Sequence, residues 1–81
     1  MTIVLSDRAA EAIVDAPAPV RKAFYKQLRF LARDLSHPSL RAKKYDEANN
    51  IWQARVNKYW RFYFKIEDDS CFVTNVIPHP K

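Results

Sequence analysis

The sequence predicts an α+β domain of order β-α-α-β-β-β, in which a helical hairpin packs on one face of a small, mainly antiparallel sheet. Apolar residues recur at helical spacing between residues 20 and 35 and alternate with polar ones between residues 52 and 66. The 81-residue chain is 48% hydrophobic and 14% aromatic. It is too apolar for a disordered tail and too short for two ordinary domains. We therefore expect one domain over residues 1–81.

The N-terminal part of the chain predicts a strand followed by a short helix. Thr2–Leu5 is a β-branched run, and Ser6 follows it with the chemistry of a helix N-cap. Residues 7–15 place small and branched apolar side chains at helical spacing. The two prolines of residues 16–19 then interrupt this first helix.

A second helix gives the clearest pattern in the sequence. Pro19 suits its first turn, and we expect the helix to end near Ser36, because His37 precedes Pro38. His37 itself reads as a residue that starts the next loop. The helix is marked by one apolar stripe, formed by Val20, Ala23, Phe24, Leu28, Leu31 and Leu35.

The remaining residues predict a loop and then three strands. Residues 37–50 show no sustained period, so we interpret them as a loop with at most one short turn of structure. Asp68 and Asp69 separate the second predicted strand from a third β-type run at residues 71–77. That run can bury either face, so its register stays open, although its end returns to the level of residues 60–61.

Residue parity predicts how the first two of these strands pair. Apolar residues are even-numbered over both 52–56 and 60–66. One face can bury them all only if even residues pair with even residues. Residue 56 then lies opposite residue 60, and Asn57-Lys58-Tyr59 forms a three-residue loop. Such loops normally contain a left-handed residue, which Asn57 can supply in place of glycine.

This register places Arg55 directly opposite Arg61 on the other face, with Gln53 opposite Tyr63. Like charges that face each other across a strand pair are destabilising. The simplest functional interpretation is an anion bound between the two guanidinium groups. The alternative is that the two side chains splay into solvent, at a cost of a few tenths of a kcal/mol by analogy with helix pairs.

The positive charge is concentrated in the middle of the chain, which does not by itself decide between a solvated surface and an anionic partner. Residues 21–61 carry eleven Lys or Arg and three acids, a net charge of +8, whereas the flanking segments are net negative. A solvated helix face explains part of this excess, and a nucleic-acid surface is the sharper interpretation. The chain has no glycine, which excludes glycine-rich phosphate loops. With one cysteine and two histidines, we expect no disulfide, metal site or cofactor, and a cytoplasmic protein that does not enter a membrane.

The last strand brings a possible proton-transfer group towards the arginine pair. His79 and Lys81 follow that strand at the same end of the sheet as Arg55 and Arg61. A histidine can act as general acid or base, and guanidinium groups suit a phosphate. Taken by itself, His79 is better interpreted as a polar residue in a proline-flanked tail. With RNA bound, such a set can promote attack of a 2′-OH on the adjacent phosphorus. The further candidates for RNA binding are Lys43, Lys44, Tyr45, Gln53, Lys58, Tyr59, Tyr63 and Lys81.

These features resemble the RelE/ParE toxin superfamily of bacterial type II toxin–antitoxin systems. The resemblance covers nearly the whole chain and is carried by the element order and three segments. These are His37-Pro38-Ser39-Leu40, the hairpin with Ile51-Trp52-Gln53-Ala54-Arg55-Val56 and Tyr59-Trp60-Arg61-Phe62-Tyr63-Phe64, and the end Val73-Thr74-Asn75-Val76-Ile77-Pro78-His79-Pro80-Lys81.

The resemblance implies a ribonuclease that cuts mRNA, usually on the ribosome, and that is neutralised by an antitoxin encoded nearby. Arg61 matches the strongest basic position of RelE-type members and Arg55 a second, while Gln53 replaces a frequent lysine. His79 or Lys81 falls at the last basic position, and the C-terminal tyrosine of many members is absent. The alternative is a ParE-type inhibitor of DNA gyrase, or an inactive relative that binds RNA or antitoxin. The basic helix face of Arg21, Lys22, Lys26, Arg29 and Arg33 is a candidate contact for ribosomal RNA or antitoxin.

Overall fold

The computed structural model describes residues 1–79 and confirms the predicted fold class. Its strands, in chain order, are β1 Thr2–Leu5, β2 Lys43–Asp46, β3 Ile51–Arg55, β4 Trp60–Glu67 and β5 Ser70–Pro78; its helices are α1 Asp7–Asp15, α2 Ala18–Arg33 and a 3-10 helix at Pro38–Leu40. The strands form a single sheet of order β1-β5-β4-β3-β2. β1 pairs with β5 in parallel, and every other pair is antiparallel.

The two α-helices cover the even-numbered face of the hairpin. Phe62 and Phe64 of β4 are fully buried there, and the Phe24 ring of α2 meets the Phe62 ring edge-on at a centroid distance of 5.5 Å. Cys71, Val73 and Val76 of β5 are buried in the same core. Burial of this apolar face provides the main driving force for packing helices against the sheet.

The register predicted for the β3–β4 hairpin is confirmed. Trp52 lies opposite Phe64, Gln53 opposite Tyr63 and Arg55 opposite Arg61.

The register of β5, open in the sequence, is settled by a bulge. Arg61 lies opposite Ile77 and Tyr63 opposite Asn75, after which the register shifts and Phe64 lies opposite Val73. The unpaired residue, Thr74, lets the apolar side chains on both sides of it reach the core.

The interpretation of residues 37–50 as a loop was wrong for Lys43–Asp46, which forms the edge strand β2. This strand carries no alternating apolar pattern, because it lies at the sheet edge and has only one partner, β3. Lysines are common on edge strands, where they discourage pairing with another chain. The 3-10 helix accounts for the short turn that was expected, and His37 accepts a hydrogen bond at its start from the Ser39 backbone N–H at 3.2 Å.

Two local expectations need smaller corrections. Helix α2 ends at Arg33, three residues before the predicted end, where the Asp34 carboxylate accepts a hydrogen bond from the Ser36 N–H at 2.9 Å and turns the chain. Asn57 is not left-handed. Instead, its side-chain oxygen accepts hydrogen bonds from the backbone N–H groups of Tyr59 and Trp60 at 2.9 and 3.0 Å.

The left-handed residues of the described chain are Arg41, Asn50 and Asp68, with φ of 47°, 54° and 52°. Asn50 and Asp68 fit the expectation that Asn and Asp replace glycine in tight turns. Arg41 does not, because a long side chain adopts this conformation at an energetic cost.

No helix within residues 1–79 is long and apolar enough to cross a membrane.

Replacement of Phe62 by alanine tests the importance of the covered sheet face. Because Phe62 is fully buried, Phe62→Ala should lower the free energy of unfolding by about 3–5 kcal/mol. Urea denaturation measures this loss. Val14→Ala is the matched control, since Val14 is 70% exposed and its truncation should change stability by less than about 0.5 kcal/mol. Equal effects of the two variants would contradict this account of the core.

Candidate functional site

The uncovered face of the sheet carries the arginine pair at the turn end of the hairpin. Arg61 donates from Nη1 to the backbone oxygens of Asn57 at 2.8 Å and Trp60 at 3.0 Å. Arg55 donates from Nε to the same Asn57 oxygen at 3.2 Å. One carbonyl thus anchors both guanidinium groups, and their remaining N–H groups are available to a ligand.

A depression of about 210 Å³ lies at this pair. Its lining includes four cationic side chains, from Arg41, Lys43, Arg55 and Arg61. Gln53 also lines it; this side chain is largely buried and donates to the Tyr63 hydroxyl at 2.9 Å. Four positive charges around one small depression make a site for a multiply charged anion.

Among residues 1–79, no acidic side chain forms an ion pair with this cluster. Within residues 1–79 the ion pair found joins the N-terminal ammonium to Asp69 at 3.9 Å, at the other end of the sheet. Burial lowers the pKa of the Arg61 guanidinium, and the charges of Arg55 and Arg41 lower it further. The guanidinium nevertheless stays charged at neutral pH. A bound anion would relieve this unfavourable interaction between like charges.

Gln27 supports the site from the core side, and the sequence analysis missed this role. Its side-chain nitrogen donates to the backbone oxygens of Ser39 and Arg55 at 2.9 and 2.8 Å, and its side-chain oxygen accepts from the Ser39 hydroxyl at 3.0 Å. Gln27 therefore ties α2 to the 3-10 helix and to the strand that carries Arg55. The available signal was its position on the buried stripe, three residues after Phe24 and four before Leu31.

Two of the tyrosines named from the sequence lie next to each other on the same face. The rings of Tyr45 and Tyr63 meet edge-on with centroids 5.0 Å apart, and Tyr45 is 62% exposed. A second depression, of about 300 Å³, lies beside them and is also lined by Ile77. Exposed aromatic rings of this kind can stack on the bases of a single-stranded nucleic acid.

The other candidates are distributed around this cluster. Lys44 does not lie in this cluster. Its ammonium lies 5.2 Å from the ring centroid of Trp52, the residue directly opposite it in the sheet, and both side chains lie on the face covered by the helices. Lys58 and Tyr59 lie in the hairpin turn, with the Lys58 ammonium 5.6 Å from the Tyr59 ring centroid. The His79 backbone N–H donates to the Tyr59 backbone oxygen at 2.6 Å, which holds the residue after β5 against this turn.

The His79 side chain is exposed and makes no hydrogen bond within the part of the chain that the structure describes. Lys81 lies outside the described residues. No group of three or more His, Cys, Asp or Glu side chains that could bind a metal occurs among residues 1–79. Burial raises the pKa of the Cys71 thiol to about 11, so this cysteine is an inert part of the core.

The chain has the fold of the RelE/ParE toxin superfamily. It resembles a YoeB/ParE toxin from Agrobacterium tumefaciens, with a TM-score of 0.81 and 13% identity over 99% of this chain and 100% of the other. It also resembles the YoeB dimer of Staphylococcus aureus, with a TM-score of 0.80 and 15% identity over 99% and 98% of the two chains. The archaeal RelE–RelB complex of Pyrococcus horikoshii gives a TM-score of 0.80 and 12% identity over 95% and 92%.

No protein-family model matches the chain, and no curated protein matches it in sequence. The likeness to these toxins is therefore one of fold, and it confirms at that level the resemblance seen in the hairpin sequence.

Sulfate binding tests the anion site directly. A saturating anion stabilises a folded protein by RT ln(1 + [L]/Kd), which is about 2.7 kcal/mol at one hundred times Kd. For a domain of this size, that free energy corresponds to a rise in Tm of roughly 10–20 °C. Sulfate should therefore raise Tm more in the parent protein than in an Arg55→Ala/Arg61→Ala variant, as measured by thermal unfolding. Equal increments would indicate only the general salting effect of sulfate.

Truncation of Gln27 tests the support behind Arg55. Gln27→Ala removes two partly buried hydrogen bonds, to the Ser39 and Arg55 carbonyl oxygens, which should lower the free energy of unfolding by about 1–3 kcal/mol. Chemical denaturation gives this value. Gln53→Ala is the matched control, since it removes the one hydrogen bond found for that side chain, to a partly exposed tyrosine, and should cost less. An equal or larger cost for Gln53→Ala would contradict the assigned role of Gln27.

Proposed function

We propose that this chain is the toxin component of a type II toxin–antitoxin system and acts as a RelE-like endoribonuclease that cleaves mRNA and so inhibits translation. The carrying observation is the opposed pair Arg55 and Arg61, which shares one backbone acceptor and has no acidic partner among residues 1–79. A fold shared with RelE and YoeB proteins supports the proposal.

In the proposed reaction, the substrate 2′-oxygen forms a bond to the adjacent phosphorus while the bond from phosphorus to the 5′-oxygen breaks. A base removes the 2′-hydroxyl proton, and an acid protonates the departing 5′-oxygen. The products are a 2′,3′-cyclic phosphate and a 5′-hydroxyl. Arg61 and Arg55 stabilise the extra negative charge of the phosphorane in the transition state, and His79 serves as the acid or the base.

This scheme assigns charge stabilisation and proton transfer to side chains and requires no metal ion. Lys43 and Lys58 would bind the RNA backbone, joined by Lys81 at the chain end, while Gln53 would help shape the wall of the site. Tyr45, Tyr59 and Tyr63 would stack on bases. Lys44, on the other face of the sheet, would contact the RNA only if the RNA strand wrapped around the sheet edge.

The proposed partners are mRNA on the ribosome and a cognate antitoxin. RelE is seen with RelB in Pyrococcus horikoshii, and YoeB with YefM in Staphylococcus aureus as a heterotetramer. By analogy, an antitoxin of this chain would cover the cationic face with acidic side chains. We further propose that residues 1–81 act as a single toxin domain in the cytoplasm.

One observation favours a second candidate, a ParE-like inhibitor of DNA gyrase or an inactive relative. The His79 side chain is exposed and makes no hydrogen bond to the arginine pair within the described chain. A nuclease needs its acid or base within reach of the scissile phosphate once substrate is bound. Bound RNA can bring the His79 side chain to the scissile phosphate, and therefore the ribonuclease remains the first proposal.

Replacement of Arg61 tests the proposed activity. Arg61→Ala removes a donor that acts on developing charge, so mRNA cleavage in a translating extract should fall by at least about 10²-fold. Primer extension on a defined mRNA measures the cleavage, and growth after induced expression gives a second readout.

The matched control is Lys65→Ala, which removes a cationic side chain towards the other end of β4 that lines neither the arginine depression nor its neighbours. It should retain parental cleavage. Intact mRNA with the parent protein, accompanied by gyrase-dependent DNA damage, would overturn the ribonuclease and support the second candidate.

A further inference from the structure

A larger cationic groove lies next to the site of the arginine pair, between α2, the 3-10 helix and the β3–β4 turn. Its volume is about 470 Å³. Positive side chains line it from three directions: Lys26 from α2, Arg41 after the 3-10 helix, and Arg55 and Lys58 from the hairpin. No acidic side chain is found among its described lining residues. The sequence analysis placed Lys26 on a basic helix face and did not connect it to the hairpin.

The polar lining of this groove includes a hydrogen-bonded glutamine. Gln27 lies there, and its side-chain nitrogen and oxygen are already engaged with Ser39 and with the backbone of Arg55. Gln27 is therefore part of the wall and is not free to act as a ligand. The cationic side chains around it have no carboxylate partner within residues 1–79, which leaves them available to an anion.

The groove and the site of the arginine pair are continuous, because Arg41 and Arg55 line both. Arg41 is also the left-handed residue that ends the 3-10 helix, with φ of 47°. A left-handed backbone at a residue other than glycine costs on the order of 1–3 kcal/mol of conformational free energy. The strained backbone places a guanidinium at the junction of two anion-binding depressions, close enough to Arg61 for its charge to depress the Arg61 pKa.

We infer that this groove binds a second, non-reacting phosphate of the same single-stranded RNA whose scissile phosphate lies between Arg55 and Arg61. The inference rests on the proposed function and names the path of the substrate. A single RNA strand would run from the sheet face, past Arg41, into the groove, where Lys26 and Lys58 would contact its second phosphate. RNA suits this path better than an acidic polypeptide, because its phosphates are regularly spaced along one continuous backbone and the path begins at the cleavage site.

Salt-dependent binding of uncleavable RNA tests the inference. The probes are 2′-fluoro oligouridylates of two and eight nucleotides, which lack the 2′-hydroxyl nucleophile. Losing the one phosphate contact that these two lysines share should make the slope of log K against log salt concentration shallower by about 0.7, the value for one phosphate of a single strand. We expect this change for the octamer with Lys26→Ala/Lys58→Ala, measured by fluorescence anisotropy. Binding of the dinucleotide, followed by NMR titration, should stay unchanged, because it reaches only the arginine pair.

Lys22→Ala/Arg29→Ala is the charge-matched control, since both residues are exposed on α2 and line neither depression. It should leave the octamer slope near the parental value. An octamer slope that is the same in both double variants would overturn the inference. So would a loss of poly-glutamate binding in Lys26→Ala/Lys58→Ala without a change in the octamer slope, since the groove would then serve an acidic protein.

Arg61→Ala separates this inference from the proposed function. If Arg61→Ala abolishes dinucleotide binding while Lys26→Ala/Lys58→Ala leaves the octamer slope unchanged, only the second phosphate site is lost from the account. If Arg61→Ala leaves dinucleotide binding intact, the proposed cleavage site itself fails, whatever the groove does.

Discussion

Burial of the even-numbered face of the β3–β4 hairpin is the constraint on which the site depends. A shift of one residue would expose Phe62 and Phe64 and turn Arg61 towards the core, so the packing against α2 fixes the register. The same register forces Arg55 and Arg61 to face each other. Core packing therefore stabilises a charge arrangement that is locally unfavourable, and the Asn57 carbonyl gives both side chains a shared acceptor. An anion between the two guanidinium groups would relieve this repulsion, which is why we propose this position as the binding site.

Much of the fold could be predicted from the sequence, because its main signals are periodic. The alternation that requires one buried face is strong enough to give every partner of the hairpin and the position of the arginine pair. Strand β2 could not be predicted, since Lys43–Asp46 is short, polar and paired on one side only. The exact pairing of β5 depended on the bulge at Thr74, and a bulge in a run that is apolar on both faces leaves no sequence pattern.

The candidate site was predictable where it follows from strand register and unpredictable where it follows from loops. Arg41 comes from the strained end of a 3-10 helix in a segment without periodicity, and its place beside Arg61 depends on tertiary packing. Gln27 has the period of a core residue and the chemistry of a polar one, so sequence alone does not say which backbone groups it satisfies. The turn was placed correctly, but Asn57 works there through its side chain rather than a left-handed backbone.

The most direct test of the central claim is a crystal structure of the protein with a 2′-fluoro uridine dinucleotide. The account predicts that the bridging phosphate lies between Arg55 and Arg61, with guanidinium nitrogens of both at about 2.7–2.9 Å from its oxygens, the range for charge-assisted hydrogen bonds. The Asn57 carbonyl should keep its contacts with both side chains. A phosphate bound elsewhere on the sheet, or an arginine pair that splays into solvent with no anion between its members, would contradict the claim.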